Sequence, residues 1–219
     1  LSWTVHWDAQ RQQMFCIGRD VTEQRRRSDL EAQQRMVLAL IARDRPLDEV
    51  LTAVVESLER QSPGLRGSVM LLDPDQQTLH VHAAPNLPVE YCNAIDGSSI
   101  GPQAGSCGTA AYRRAFVQVD DIASDPLWND YRDLALPHGL RACWSSPIFG
   151  PSLEVLGTLA FYYDEVRSPD AWTLTLAEAG ADLAGIAIQR ERQRHAQLRS
   201  ELRARSLFEH VPAGAFAVD

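Results

Sequence analysis

The sequence has no apolar run approaching the ~20 residues that a membrane-spanning helix requires and no signal peptide. A helical membrane span is therefore excluded on sequence grounds, and a cytoplasmic location is the expectation. Leu1 is not a start methionine, so the chain reads as an excerpt of a longer protein. Its four cysteines (Cys16, Cys92, Cys107 and Cys143) contain no Cys-x-x-Cys spacing, which disfavours a structural zinc site and leaves a reduced thiol inventory as the default. Basic residues are outnumbered, 21 against 29 acidic, for a net charge of -8. That balance argues against a broad nucleic-acid surface, because a phosphate backbone needs clustered Lys and Arg. Arginines do cluster at 25–27 and 190–205, but in Glu-containing helical segments that read as solvated faces. With 45% hydrophobic and 23% charged residues, the chain can bury an apolar core without staples.

The patterning divides the chain into segments. Trp3, Val5 and Trp7 alternate, Arg11-Gln12-Gln13 reads as a turn, and Met14 to Ile17 resume an apolar run, predicting two short strands within 3–18. Asp20, with Glu23 three positions on, supplies a helix start near 21. That helix is expected to run to about Arg43. Leu30, Val37 and Ile41 share one stripe, too narrow to bury the helix in a globular core and better suited to a parallel partner helix. Asp44-Arg45-Pro46 ends it. A second helix carries Leu47, Val50, Leu51, Val54 and Leu58 on a wide face, up to Ser62-Pro63-Gly64. Strand signals at 67–73 and 78–84 flank the turn residues Asp73 to Gln76. Residues 85–104 read as a loop with a short helix near 88–94. A helix at 107–115, a strand at 116–119, helical turns over 120–140, and strands at 141–148 and 154–163 follow. From Pro169 the pattern is helical to the region of Phe208, with Leu176, Ala179, Leu183 and Ile186, then Leu198 and Leu202, sustaining a stripe. A helix this far beyond ~25 residues points to a coiled coil. Residues 209–219 read as a turn and a short strand. The whole is an α+β domain: an antiparallel sheet with helices packed on it.

Two passages carry a resemblance. One comprises Gly105 to Ala111 (Gly-Ser-Cys-Gly-Thr-Ala-Ala), Val117 to Ile122 (Val-Gln-Val-Asp-Asp-Ile) and Asp125 to Tyr131 (Asp-Pro-Leu-Trp-Asn-Asp-Tyr). The other comprises Gly139 to Ile148 and Val155 to Tyr163. Together they resemble the GAF domains of bacterial signalling proteins, over residues 45–190. Phe15 to Glu23 resembles the final strand and exit of a PAS domain, and Leu207 to Asp219 is similar to the opening of another. The resemblance implies a PAS fragment at 1–20, a signalling helix at 21–44, a GAF domain at 45–190, a second signalling helix or coiled coil at 191–207 and the start of a second PAS domain at 208–219. In such arrays the output is usually a diguanylate cyclase, a cyclic-di-GMP phosphodiesterase or a histidine kinase, and none of those catalytic signatures occurs in this chain. This warrant is a fold analogy.

By the same resemblance, ligands sit between the sheet and the helical middle segment, here 85–140. Trp128 and Tyr131 are expected to wall such a pocket, with Trp144 and Ser146 looking in from a strand and Asp120, Asp121 and Arg141 supplying charge. The alternative is that the aromatics complete the core and the charges face water. Cys107, followed by Gly108, falls at a helix start, where N–H groups and the dipole lower a thiol's pKa. It is similar to the reactive Cys of the free methionine sulfoxide reductases, with Cys92 and Cys143 as partner candidates; the alternative is a small buried packing residue. His138, before a strand, is placed like the axial His of haem-binding GAF sensors, though a lone His is usually a hydrogen-bonding residue. Cys143 is followed by Trp144 rather than His, which argues against covalent bilin, and the Asn-Lys-Phe-Asp-Glu pattern of cyclic-nucleotide GAF domains is not recognisable. His80 and His82 share one strand face, which two imidazoles alone do not make into a metal site.

The expectation is a sensory or regulatory module, not an enzyme. It binds a small ligand of unknown identity, or relays strain, through a parallel homodimer formed by residues 21–43 and 170–207, to a covalently linked output domain. The alternatives are a thiol redox enzyme using Cys107 and a ligand-free dimerisation spacer.

Overall fold

A computed structural model describes residues 1–209. Of the expected start of a second PAS domain at 208–219, residues 208 and 209 belong to the last helix and the remainder, from 210, lies outside the described residues.

The chain opens with a hairpin, β1 (Ser2–Asp8) and β2 (Gln13–Arg19), antiparallel from Ser2 opposite Arg19 to Asp8 opposite Gln13. Its turn falls at 9–12, with Gln12 at φ 51°, two residues before the position read from the sequence. The hairpin is a sheet of its own. Trp3, Val5, Trp7 and Met14 project from one face and all four are exposed.

Helix α1 (Thr22–Ala42) begins where the Asp20 carboxylate accepts the Thr22 N–H at 2.9 Å; the Thr22 side chain, and then this N–H, draw the Asp20 pKa below its ordinary value. It ends at Asp44, whose φ of 50° turns the chain ahead of Pro46. Helix α2 (Leu47–Gln61) then returns antiparallel, Arg60 reaching Gln33 of α1 at 2.8 Å. Its wide apolar face, Val50, Leu51, Val54, Val55 and Leu58, is fully buried, as the spacing requires.

The central sheet contains β3 (Arg66–Leu72), β4 (Thr78–Ala83), β5 (Ser98–Ser99), β6 (Val117–Val119), β7 (Ala142–Phe149) and β8 (Val155–Tyr163), in the order β5-β4-β3-β8-β7-β6, with every pairing antiparallel. Between the strands lie α3 (Val89–Ile95), α4 (Gly105–Arg113), a 3-10 turn at Pro126–Trp128 and the short α5 (Arg132–Ala135). The final helix, α6 (Ala171–Glu209), has 39 residues. Asp170 starts it by accepting from the Thr173 N–H and hydroxyl at 2.7 and 2.6 Å.

Each face of the sheet has its own core. On one, α1, α2 and α6 cover Val69, Trp144, Ile148, Leu159, Phe161 and Tyr163. On the other, α3, α4 and the segment through Trp128 and Leu140 cover Met70, Leu79, Val119, Cys143, Ala160 and Tyr162. Alternation along β7 and β8 creates this partition, since successive side chains point to opposite faces.

The α1 stripe corrects the sequence reading. Leu30 and Val37 are buried in this chain's own helical layer, with Ile41 packed beside them. Arg26 lies over the Trp172 ring and Arg190 reaches Asp44, so α1 and α6 run in the same direction within one subunit. The stripe looked narrow because α1 lies on α2 and α6 rather than being surrounded. Leu176 and Leu183 of α6 are likewise buried. Ile186, Leu198 and Leu202 are exposed, as are Met36 and Leu38 of α1.

Candidate functional site

The second face of the sheet holds a cleft whose residues arrive from six elements and the loops beside them. Met70 comes from β3, Ser98 from β5 and Tyr162 from β8. Tyr91 and Ile95 come from α3, Gly105, Cys107 and Gly108 from α4, Trp128 from the 3-10 turn, and Tyr131 from the residue that precedes α5. Its volume is about 20 Å³, roughly the room one water needs.

Local sequence explains the convergence. Gly105 takes a φ of 60° to turn the chain into α4. Gly108 lies so close to β5 that a Cβ there would meet the Ala104 Cβ at 2.7 Å and the Ser99 carbonyl oxygen at 2.9 Å, so only glycine lets α4 approach. Asp125 accepts the Leu127 N–H at 2.8 Å and starts the 3-10 turn that carries Trp128 inward. Trp128 donates its indole N–H to the Ser106 hydroxyl at 3.1 Å, and Ser106 donates to the Cys143 carbonyl at 3.0 Å. This chain of bonds holds the opening of α4 against β7.

The floor of the cleft is a buried polar cluster. The Cys107 sulfur lies 3.8 Å from the Tyr162 hydroxyl, and Tyr162 pairs directly with Cys143 across β7 and β8. The Tyr91 and Tyr162 rings meet edge to face at 5.8 Å. The Cys143 thiol beside it, aided by Ser145, Tyr162 and Thr158, outweighs burial and lowers the Cys107 pKa to about 7. Burial drives Cys143 well above its ordinary value, and Cys107 adds to that rise. Desolvation likewise raises Tyr162 and Tyr91. The pair therefore divides into a thiol whose pKa is lowered and one whose pKa is raised. Ser68 Oγ, buried on the same face, has no hydrogen-bond partner among the described residues.

Four of the sequence-predicted residues meet here: Cys107, Gly108, Trp128 and Tyr131. The others are elsewhere. Trp144 and Ser146 project from the opposite face of β7, where Trp144 stacks on Tyr163 at 4.9 Å. The two-residue period of the strand turns Cys143 and Ser145 toward the cleft instead. Asp121 serves a surface turn, accepting from the Ala123 N–H and the Ser124 hydroxyl, with Arg141 3.9 Å away. Asp120 accepts from Gln118 and Ser168. His138 is separated from the cleft by Tyr91, whose ring it meets at 6.0 Å. With so small a volume beside it, this arrangement does not form a haem cavity. Cys92 is half-buried on α3 and does not line the cleft. Tyr91, Tyr162, Ser106 and Met70 were not legible as site residues, since an apolar or hydroxyl residue carries no mark of the face it will occupy.

At the rim of the sheet, His80 of β4 and Asp96, which follows α3, form a clamp. The imidazole lies 3.4 Å from Asp96 and 3.3 Å from Asp73, and Asp96 also accepts the Val81 N–H at 2.8 Å. His80 is raised, chiefly by its Asp96 hydrogen bond, and Asp96 is lowered, chiefly by the Val81 N–H. No group of three or more potential metal ligands occurs among the described residues, and no described helix is long and apolar enough to cross a membrane.

Comparison with known proteins follows this geometry. The chain is 38% identical over 192 residues, 88% of its length, to the methyl sulfide methyltransferase-associated sensor of Methanosarcina acetivorans, and spans 19% of that relative. The aligned stretch is longer than the family match given below, so the likeness reaches into the flanking segments. Among solved structures, the GAF domain of a phosphoenolpyruvate-protein phosphotransferase from Coxiella burnetii superposes with a TM-score of 0.63 at 17% identity, covering 77% of this chain and 98% of that one. The reduced form of fRMsr from Staphylococcus aureus does so at 0.56 and 17%, covering 73% and 94%. Both show the fold alone. Residues 44–189, more than half the sequence, match the model of the GAF domain family, and the chain belongs to that family.

Proposed function

We propose that this chain is a sensory module without turnover of its own, which relays the state of its cleft through α6 to an output domain in a longer protein. The observation that carries this reading is the two-sidedness of β7 and β8. Cys143 and Tyr162 floor the cleft, while Trp144, Phe161 and Tyr163, their chain neighbours, pack under the helical layer that includes α6. A change on one face of these strands is felt on the other, because packed interiors transmit strain. The name of the Methanosarcina relative agrees with a sensor.

The relay acts between two copies. Past Arg190, α6 leaves the domain, and Leu198 and Leu202 lie exposed along it, uncovered by the described residues. They are four residues apart and continue the face that buries Leu183 and Ile188 on the domain, a seam suited to a parallel second helix. The pairing of residues 21–43 and 170–207 thus keeps Ile186, Leu198 and Leu202 of the stripe read from the sequence, adds the exposed Met36 and Leu38, and loses Leu30, Val37, Leu176 and Leu183, which are buried within the subunit. The hairpin β1–β2 fits the expected PAS fragment: two strands alone are marginal in water, and their Trp3–Val5–Trp7 face awaits a covering layer. A reducing, cytoplasmic setting suits four free thiols.

Light scattering at tens of micromolar tests the relay. Wild-type protein is expected to run as a dimer and Leu198→Asp/Leu202→Asp as a monomer with an unchanged melting temperature. A monomeric wild type overturns the paired-helix reading.

A further inference from the structure

The cleft is too small for a metabolite, yet it ends on a sulfur. Cys107 lines it, and the room in front is that of about one water. Ser106 bonds the Cys143 carbonyl, bringing the first turn of α4 onto β7, and Tyr162, whose hydroxyl lies 3.8 Å from the Cys107 sulfur, is the cross-strand neighbour of Cys143. The Thr158, Ser145 and Tyr162 hydroxyls face the Cys107 sulfur as donors. Such donors hold a sulfur anion out of water. These features suit a reactant of about the size of water that attacks or accepts attack by sulfur.

We propose that Cys107 and Cys143 form a hydroperoxide-reactive dithiol, in which hydrogen peroxide entering the cleft joins the two sulfurs. The Cys107 sulfur attacks one peroxide oxygen, the O–O bond breaks, and the leaving hydroxide takes up a proton as water. Cys107 is then a sulfenic acid. The Cys143 sulfur attacks the Cys107 sulfur, the S–O bond breaks, and the hydroxyl leaves with the Cys143 proton as a second water. The two sulfurs lose one electron each and one peroxide is reduced to two waters. The split of the two thiols, one lowered and one raised, sets the order of attack. The disulfide binds α4 to β7, the strand whose other face packs on α6. This last link rests on the sensory reading; the chemistry does not.

Peptide mapping by mass spectrometry tests it on the reduced protein. One equivalent of hydrogen peroxide is expected to lower the free thiols from four to two and to yield a Cys107–Cys143 linked peptide. With its pKa lowered to about 7, Cys107 presents a large thiolate fraction at pH 7, so it should react faster than the exposed Cys16. Cumene hydroperoxide, too bulky for the cleft, should reverse that preference. Cys143→Ser should leave a sulfenic acid on Cys107, which dimedone traps when the oxidised protein is unfolded in its presence. Linkage through Cys92, or a Cys107 that reacts no faster than Cys16, overturns the proposal on wild-type protein alone. Linkage without any change in α6 pairing would leave the dithiol standing and count against the relay instead.

Discussion

The two faces of the sheet share strands but not chemistry. Under α1, α2 and α6 the core is apolar but for the Tyr163 hydroxyl, which meets Ser62 at 3.0 Å, and the Trp144 indole N–H; Trp144, Phe161 and Tyr163 are its largest members. Under α3 and α4 it contains two thiols, two tyrosine hydroxyls and a serine bridging to an indole N–H. Neighbouring residues of β7 thus live in different media. The helical face supplies adhesion, because burial of apolar area dominates stability. The α4 face spends part of that stability on polar groups held out of water.

Substitutions can break this contrast. The largest effect should come from the helical face: Trp144→Ala removes a fully buried indole and is expected to cost ~3–5 kcal/mol in urea unfolding. Trp144→Phe should cost far less, because the lost indole N–H has no partner to forfeit. Equal losses for the two would show that the N–H is bonded after all.

On the α4 face, Gly108→Val forces a branched side chain onto Ala104 and the Ser99 carbonyl. Overpacking of this kind costs about 1–3 kcal/mol, and a melting temperature equal to wild type would mean that α4 does not lie against β5 as described. Ser106→Ala strips the Trp128 N–H and the Cys143 carbonyl of their shared partner. A penalty of about 1–3 kcal/mol is expected, with a shift in tryptophan emission as water reaches the indole. An unaltered spectrum would argue against the bridge.

The smallest effect concerns the rim. The His80 imidazole, its pKa raised above 6.5, contributes fully below that value and loses its hold as pH rises through the raised one. The Asp96 carboxylate, its pKa lowered below 3.8, contributes above that value and loses its hold as pH falls through the lowered one. The clamp is therefore strongest in mildly acidic solution, between those limits. Asp96→Asn should bring the His80 titration, followed by NMR, back toward 6.5; an unmoved titration would assign the raised value to Asp73.

Much of this molecule follows from local pattern. The apolar spacing of α2, the turn residues around Asp73 and the break at Asp44-Arg45-Pro46 each act within a few residues, and the elements form where those signals place them. The glycines around Cys107 marked the opening of α4, and the motifs shared with GAF domains marked the family. Partnership was not written locally. Whether Leu30 and Val37 meet a second copy or this chain's own α6 depends on where the chain returns after more than a hundred residues. Which of Cys143 and Trp144 sees the cleft depends on the phase with which β7 enters the sheet, and a shift of one residue would exchange them. The amino-acid order alone determines which elements form, because helix and strand periods are read over a few neighbours; long-range packing alone decides which thiol meets which, because that choice is made by residues distant in the chain.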